Sequence, residues 1–400
     1  MEGITWFAVI WSLWLQRNSL LFRGGSMDME QVWEMVKKLV FGTLALYVVL
    51  SSTTNALSLR DSKAGQSMKA TLRYLAGLAG PSGFGSNSTA EQVTQDCSSL
   101  LPSNLTALIT GGTSGIGAET ARVLAKRGVR IVIGARDLRK AKEVREKIQK
   151  ESPHAEVILL EIDLSSFASV QRFWLKVRVI VFHRNNAGMY SQNLEFSEEK
   201  IEMTFATNYL GHFLVTKMLL EKMIDTAKKT GIQGRIINVS SVIHSWVKRS
   251  CFSFNDMLFG KNYNGTRAYA KSKLATILHV KEVARQLKER NANVTINAVH
   301  PGIVKTGIIR AHKGLITDSL FFIASKLLKS ISQGASTTCY VALSEQTDGV
   351  SGKYFTDCNE SNCSSLANDE SEARKLWNDT HALLHKRLRQ ATNSKCFFPT

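Results

Sequence analysis

Apolar residues dominate short runs at 105–109, 129–134, 156–162, 235–240 and 294–299, and helical stretches fill 117–128, 137–151, 198–225 and 266–290 between them. Short apolar runs alternating with longer helical ones predict strands buried on both faces and joined by right-handed crossover helices. The expected fold is therefore α/β, a doubly wound parallel sheet, with any ligand at the carboxyl edge of the strands. No internal repeat or low-complexity tract interrupts the alternation. One stretch does break it. Asp163 to Asn185 spans only 22 positions, short for a helix end, a loop and a buried strand, and His183 and Arg184 stand where aliphatic side chains should fill a sheet. An unpaired buried arginine costs several kcal/mol. Residues 179–182 are the expected strand, and the alternative is a segment 174–184 whose support for the rest of the fold is broken.

The two ends follow other patterns. Residues 39–57 form a run of nineteen without a charge, after Lys37 and Lys38. Such a run suits a membrane anchor, although the polar tract from Ser51 to Asn55 makes a true span marginal. The other reading of residues 1–67 is extraneous sequence. Residues 370–390 are amphipathic and basic, with Leu376, Trp377, Leu383, Leu384 and Leu388 set against Lys375, Lys386, Arg387 and Arg389. That pattern suits a calmodulin target, a membrane-surface helix, or a helix that docks on its own domain, the last being the ordinary outcome. The expected organisation is an extension at 1–67, an arm at 68–104, a catalytic domain at 105–370 and a basic helix and tail at 371–400.

Composition changes this picture little. A chain of 400 residues exceeds the roughly 250–300 at which single cores stop growing, which agrees with a domain plus appendages. The net charge of +18 is dispersed and comes with no nucleic-acid motif, so it speaks for solubility and against a nucleic-acid partner. Cys97, Cys251, Cys339, Cys358, Cys363 and Cys396 show neither metal-ligand spacing nor a disulfide framework, which fits a reducing compartment and no bound metal.

Two motifs carry chemistry. Thr110-Gly111-Gly112-Thr113-Ser114-Gly115-Ile116-Gly117 lies between the first apolar run and the first helical one. Glycines at a strand-to-helix turn let the backbone approach a pyrophosphate, and the helix N-terminus presents free N–H groups with a partial positive charge. Downstream, Tyr269-Ala270-Lys271-Ser272-Lys273 places a phenol and an ammonium four residues apart, on one face of a helix. A nearby cation favours the phenolate and lowers the phenol's pKa, equipping Tyr269 to exchange a proton with a substrate oxygen.

Further matches follow in order along the chain: Asp163-Leu164, Asn185-Asn186-Ala187-Gly188, Asn208 in Asn-Tyr-Leu-Gly-His, Asn238-Val239-Ser240-Ser241, and His300-Pro301-Gly302 with Thr306. Together with the two motifs they resemble the short-chain dehydrogenase/reductase family over roughly residues 68–370, and that resemblance implies a Rossmann fold and a nicotinamide cofactor. Carried over, it makes Tyr269 the general acid/base, and Lys273 the group that lowers its pKa and holds the nicotinamide ribose. Ser241 would orient the substrate oxygen, and Asn208 would hold a water of a proton relay. Gly111, Thr113, Ser114, Gly115, Ile116 and Gly117 would cradle the pyrophosphate. Asp163, Leu164, Asn186, Ala187 and Gly188 would shape the cleft, and Pro301, Gly302 and Thr306 would approach the nicotinamide. The implied reaction is hydride transfer to or from a carbonyl or alcohol carbon.

Arg136 lies nineteen residues past Gly117, at the end of the second apolar run, where its guanidinium suits a 2′-phosphate. NADP(H) is therefore the expected cofactor, with Asp137 as the competing ribose contact. Between Ser241 and Tyr269 lie 27 residues, a length that resembles the retinol-dehydrogenase-like branch. That insertion carries Trp246, Phe252, Phe254, Met257, Leu258 and Phe259, which either pack on the body or receive a lipophilic substrate. Residues 80–94 and 349–355 resemble plant members of the family associated with the chloroplast inner-envelope import translocon. This implies a chloroplast-envelope location in place of a cytoplasmic one, and a second role as an NADP(H)-sensing subunit of a membrane complex.

Overall fold

The computed structural model describes residues 74, 77–99, 105–177, 180–304 and 329–395. The expectations placed on residues 1–67, including the run 39–57, and on Thr306 and Cys396 lie outside the described residues. Ala79–Thr400 forms one compact unit.

The unit is built around a sheet whose strands are β1 (Thr106–Thr110), β2 (Arg130–Ala135), β3 (Val157–Glu161), β4 (Phe182–Asn185), β5 (Gly234–Val239), β6 (Val294–His300), β7 (Tyr354–Thr356) and β8 (Asn359–Ser361). Their order across the sheet is β3-β2-β1-β4-β5-β6-β7-β8. Every neighbouring pair is parallel except β7 with β8. The order reverses direction between β1 and β4, which opens a crevice at their carboxyl ends.

The connecting helices are α1 (Gly115–Lys126), α2 (Leu138–Glu151), α3 (Phe167–Lys176), α4 (Gly211–Thr230), α5 (Gly265–Glu289), α6 (Ile331–Leu343) and α7 (Glu370–Lys395). Two apolar clusters lie on opposite faces of the sheet. One joins α1, α2 and α6 to β1 and β2 through residues such as Val123, Ile131 and Val341. The other joins α3, α4, α5 and α7 through Phe173, Phe213, Leu278 and Leu384. Helices on both faces bury the central strands, while the edge strand β3 stays partly exposed, so the doubly wound expectation holds, with boundaries shifted by a residue or two.

The fourth strand and the helix after it differ from the sequence reading, and the C-terminal helix takes the ordinary one of its expected outcomes. The fourth strand begins at Phe182 rather than lying over 179–182, and it includes His183 and Arg184. Both side chains are buried, and among the described residues neither imidazole nitrogen of His183 has a well-formed hydrogen bond, with Asn185 close enough to act on the ring. Arg184 Nη1 reaches the Ile116 carbonyl oxygen at 3.3 Å and the Thr120 hydroxyl, while Nε and Nη2 have none. Burial pulls the His183 pKa down to about 4 and that of Arg184 to about 10. The sheet thus closes over the short segment but keeps unpaid polar atoms inside it.

The stretch read as a helix at 198–225 starts at Met203, passes through a π-turn at Ala206–Leu210 and continues as α4. The C-terminal helix docks on its own domain. Ala373, Leu376 and Leu384 are buried, Trp377 meets Phe213 at 6.2 Å, and Thr380 Oγ1 lies 3.0 Å from the Tyr209 hydroxyl. The apolar face that calmodulin would need is therefore occupied by α4 and α5, and that expectation is corrected. Among the described residues no helix is long and apolar enough to cross a membrane.

Candidate active site

The glycine turn joins β1 to α1 at the crevice. Gly111 has φ +66 and Gly115 φ +52, backbone that favours glycine. A Cβ on Gly117 would stand 2.2 Å from the Gly111 carbonyl oxygen, so the turn closes only without one. Ser114 caps α1 by its backbone, and its side chain makes no capping bond, which leaves the first-turn amides facing the crevice without a side-chain acceptor. Asn186 ties the strand ends together. Its side-chain amide donates to the carbonyls of Thr110 (3.1 Å) and Gly111 (3.0 Å), and its backbone N–H donates to the Thr110 hydroxyl at 3.0 Å. His212, which the sequence reading quoted within a motif but gave no role, braces the same corner: Nε2 lies 3.0 Å from Thr110 Oγ1 and Nδ1 3.2 Å from the Asn208 carbonyl oxygen.

The catalytic candidates meet one step further along the crevice. A Cβ on Gly188 would lie 3.6 Å from Lys273 Nζ and 3.7 Å from Asn208 Oδ1, so the turn after β4 touches both. Tyr269 and Lys273 share one face of α5, with Nζ 5.5 Å from the phenol ring centroid. Ser241 follows β5, and the neighbouring Ser240 hydroxyl donates to the Lys273 carbonyl at 2.8 Å, locking α5 to that strand's end. Tyr190 stands edge-on to Tyr269 at 6.0 Å.

Two details depart from expectation. The Asn208 carboxamide is engaged with protein: Oδ1 accepts from Met189 N at 2.8 Å, and Nδ2 donates to Met189 O at 2.9 Å and to Ser272 Oγ at 3.1 Å. Its clearest part here is to fix the loop after β4. Lys273 Nζ donates to the Val239 carbonyl at 2.9 Å, and burial is the dominant influence on the pair. Tyr269 is pushed up to about 12 and Lys273 pulled down to about 8. The expected lowering of the phenol pKa is therefore absent in this arrangement, because desolvation outweighs an ammonium held against a carbonyl.

At the other end of the crevice, Arg136 is exposed just past β2. Asp137 is spent on capping α2, its Oδ1 accepting from the backbone N–H of Arg139 (3.0 Å) and Lys140 (3.3 Å). Asp163 lies past β3 and binds the Ser165 backbone N–H at 2.9 Å and hydroxyl at 2.7 Å through the same oxygen, with buried Leu164 behind it. Pro301 and Gly302 leave β6, where Gly302 has φ +85. The described candidates thus fall along one edge of the sheet, from Arg136 through the glycine turn to Tyr269. Glycines that close only without a Cβ, uncapped helix amides and an exposed arginine fit a dinucleotide.

A family model described as short chain dehydrogenase matches residues 105–253. The chain is 46% identical over 305 residues to the short-chain dehydrogenase TIC 32 B, chloroplastic, of Brassica napus, covering 75% of this chain and 94% of that protein. It is 37% identical to human retinol dehydrogenase 14, covering 70% of this chain and 86% of the other. Among solved structures, an uncharacterised protein from Mycobacterium paratuberculosis matches with a TM-score of 0.57 at 28% identity, covering 72% of this chain and 96% of that one.

Proposed function

The chain belongs to the short-chain dehydrogenase family, an oxidoreductase family with a nicotinamide cofactor, and we propose from that premise that it reduces a lipophilic carbonyl compound with NADPH, Tyr269 donating the proton. The observation that supports this reading is that Gly188 lies against Lys273, which shares a helix face with Tyr269, while Ser241 leaves the neighbouring strand β5.

The NADP(H) preference rests on Arg136, which is free to meet a 2′-phosphate while Asp137 is committed to its helix. The turn from Gly111 to Gly117 and the first amides of α1 would hold the pyrophosphate, and Lys273 and Asn186 line the path from there to Tyr269. Bound there, the nicotinamide supplies or accepts the hydride. Tyr269, pushed up to about 12, keeps its proton at neutral pH, so it is equipped as an acid toward a carbonyl oxygen. Lys273, at about 8, stays mostly charged at pH 7. The Ser241 hydroxyl would hold the same oxygen in line with the phenol.

A lipophilic substrate is favoured by the segments that leave the carboxyl ends of β4 and β5. They expose Leu194 (41%), Phe196 (43%), Val242 (49%), Trp246 (69%) and Phe259 (56%) on the edge that carries the catalytic candidates. Met257 and Leu258 from the same insertion are buried, so that part serves packing.

The similarity to a TIC 32 protein supports a second reading, a chloroplast-envelope subunit that senses NADP(H) and turns over little. A panel of aldehydes and ketones of increasing chain length, assayed with NADPH and with Tyr269→Phe as control, separates the readings. Turnover lost in the variant supports the reductase. NADPH binding without turnover in the parent protein supports the sensor. Absence of both turnover and NADPH binding overturns the two and leaves an inactive relic.

A further inference from the structure

His244 follows Ser241 by three positions and is 2% exposed. Both of its ring nitrogens are engaged. Nδ1 lies 2.7 Å from the Ser241 carbonyl oxygen, and Nε2 lies 3.1 Å from the backbone nitrogen of Ser364. A carbonyl oxygen only accepts and an amide N–H only donates, so the two bonds admit a single protonation state: Nδ1 carries the hydrogen and Nε2 presents a lone pair. The ring also stands edge-on to Tyr354 of β7, with centroids 5.2 Å apart. A second tie joins the same regions. Arg249 bonds Asp369 at 2.5 Å and Glu372 at 2.9 Å, fastening the insertion after Ser241 to the start of α7.

We propose that His244 is a positioning residue whose neutral ring sets the Ser241 backbone against the loop at Ser364, coupling the serine's place in the site to the docking of the C-terminal segment. This rests on the role given to Ser241 above. The hydroxyl of Ser241 is useful only if its backbone is held, and its carbonyl accepts both the His244 imidazole and the His244 backbone N–H, the latter at 3.2 Å. Protonating the ring would aim a new N–H at the Ser364 N–H, exchanging an attraction for a repulsion. The clamp therefore releases on acidification.

The titratable and charged groups on the elements packed around the ring are Tyr354 on β7 with Asp357 just after it, His300 at the end of β6 with Lys329, which pairs with Asp357, Cys363 in the tail loop with Lys281 of α5 near it, and Tyr269 and Lys273 on α5. Burial favours the neutral ring, as the clamp requires.

Ring-nitrogen NMR and backbone hydrogen exchange on the full chain test this, with His244→Phe and His244→Gln as variants. The expected ring is the Nδ1–H tautomer. Exchange corrected for its intrinsic pH dependence rises in 241–251 and in 361–372 together as pH falls from 7.5 to 5.5, and His244→Phe shows the raised corrected exchange already at pH 7.5. Glutamine can donate and accept at once, so His244→Gln restores protection and keeps it at pH 5.5. With NADPH and retinaldehyde as the probe, His244→Phe lowers kcat roughly tenfold or more while NADPH affinity is unchanged, and His244→Gln recovers kcat and moves the acid limb of its pH profile to lower pH. An Nε2–H tautomer, exchange that rises in only one segment, or an acid limb identical in His244→Gln overturns the proposal. If the parent protein binds NADPH but reduces nothing, the reductase reading fails, while the tautomer and exchange results still decide for or against the clamp.

Discussion

Replacing Arg184 by methionine should make the protein more stable. The side chain is 3% exposed in β4, and burial draws its pKa from 12.5 to about 10, a fall worth about 3 kcal/mol at about 1.4 kcal/mol per pH unit. A base whose pKa falls on folding is held charged at a cost everywhere below its folded value. The penalty is therefore constant through the neutral range and fades only as pH rises above about 10. Removing the guanidinium strands no partner, because Thr120 Oγ1 already donates to the Ile116 carbonyl at 2.8 Å. Methionine keeps an unbranched stem in the space between β4 and α1. The expected gain of about 3 kcal/mol corresponds to a rise in Tm of about 6 °C for a domain of this size. Circular dichroism melts at pH 6, 7.5 and 9 should show equal gains, with NADPH affinity kept. A Tm that is unchanged or lower refutes the reasoning, and so does a gain that varies steeply over that pH range. Loss of NADPH binding alongside a raised Tm would show that the arginine serves α1 and is not a misfit.

Burial holds His183 at about 4 and His212, His279 and His300 at about 3, below the unfolded value of 6.5. Their neutral rings contribute stability that is present above 6.5 and lost as pH falls toward the folded values, so the urea midpoint should drop steeply between pH 6 and 4, and less steeply in His183→Leu. Gly117→Ala pushes a methyl onto the Gly111 carbonyl oxygen, 2.2 Å away, and should weaken NADPH binding at least tenfold by fluorescence titration, while an exposed control such as Gly231→Asn does not. Arg136→Ala should lower the NADPH over NADH preference by about tenfold to a hundredfold in paired Kd measurements, the worth of one charge-assisted contact. Leu384→Ala, 1% exposed beside Leu214 and Met218 of α4, should cost about 2–5 kcal/mol in denaturant unfolding.

Much of the sheet was legible because its strands obey one rule. A strand covered on both faces tends to be apolar through most of its length, and β1, β2, β5 and β6 announce themselves as mainly aliphatic runs even though β5 and β6 also bury Asn238, Thr295 and Asn297. β4 fails that test: Phe-His-Arg-Asn has no apolar run, so the reading moved the strand to the aliphatic residues just before it. Backbone pairing with β1 and β5 prevailed over side-chain preference there, at the expense of unpaired buried nitrogens. α6 was invisible for the opposite reason. It is buried over most of its length, and its small residues Gly334 to Thr338 run straight into Cys339, Tyr340, Val341 and Leu343, so it has no polar face to set a helical period. β7 and β8 span three residues each, too few to alternate.

The candidate site was legible as a set of positions and only partly as chemistry. The glycine turn could be read because its conformation demands the residue type, and the structure bears this out at Gly111 and Gly117. The four-residue spacing of Tyr269 and Lys273 correctly put both on one helix face, but spacing carries no information about dielectric. The ammonium lies 5.5 Å from the ring centroid and bonds the Val239 carbonyl, so desolvation decides the sign of both shifts and drives each group toward its neutral form. On the reductase reading proposed above, the buried phenol holds its proton at neutral pH, a state that motif spacing has no means to express.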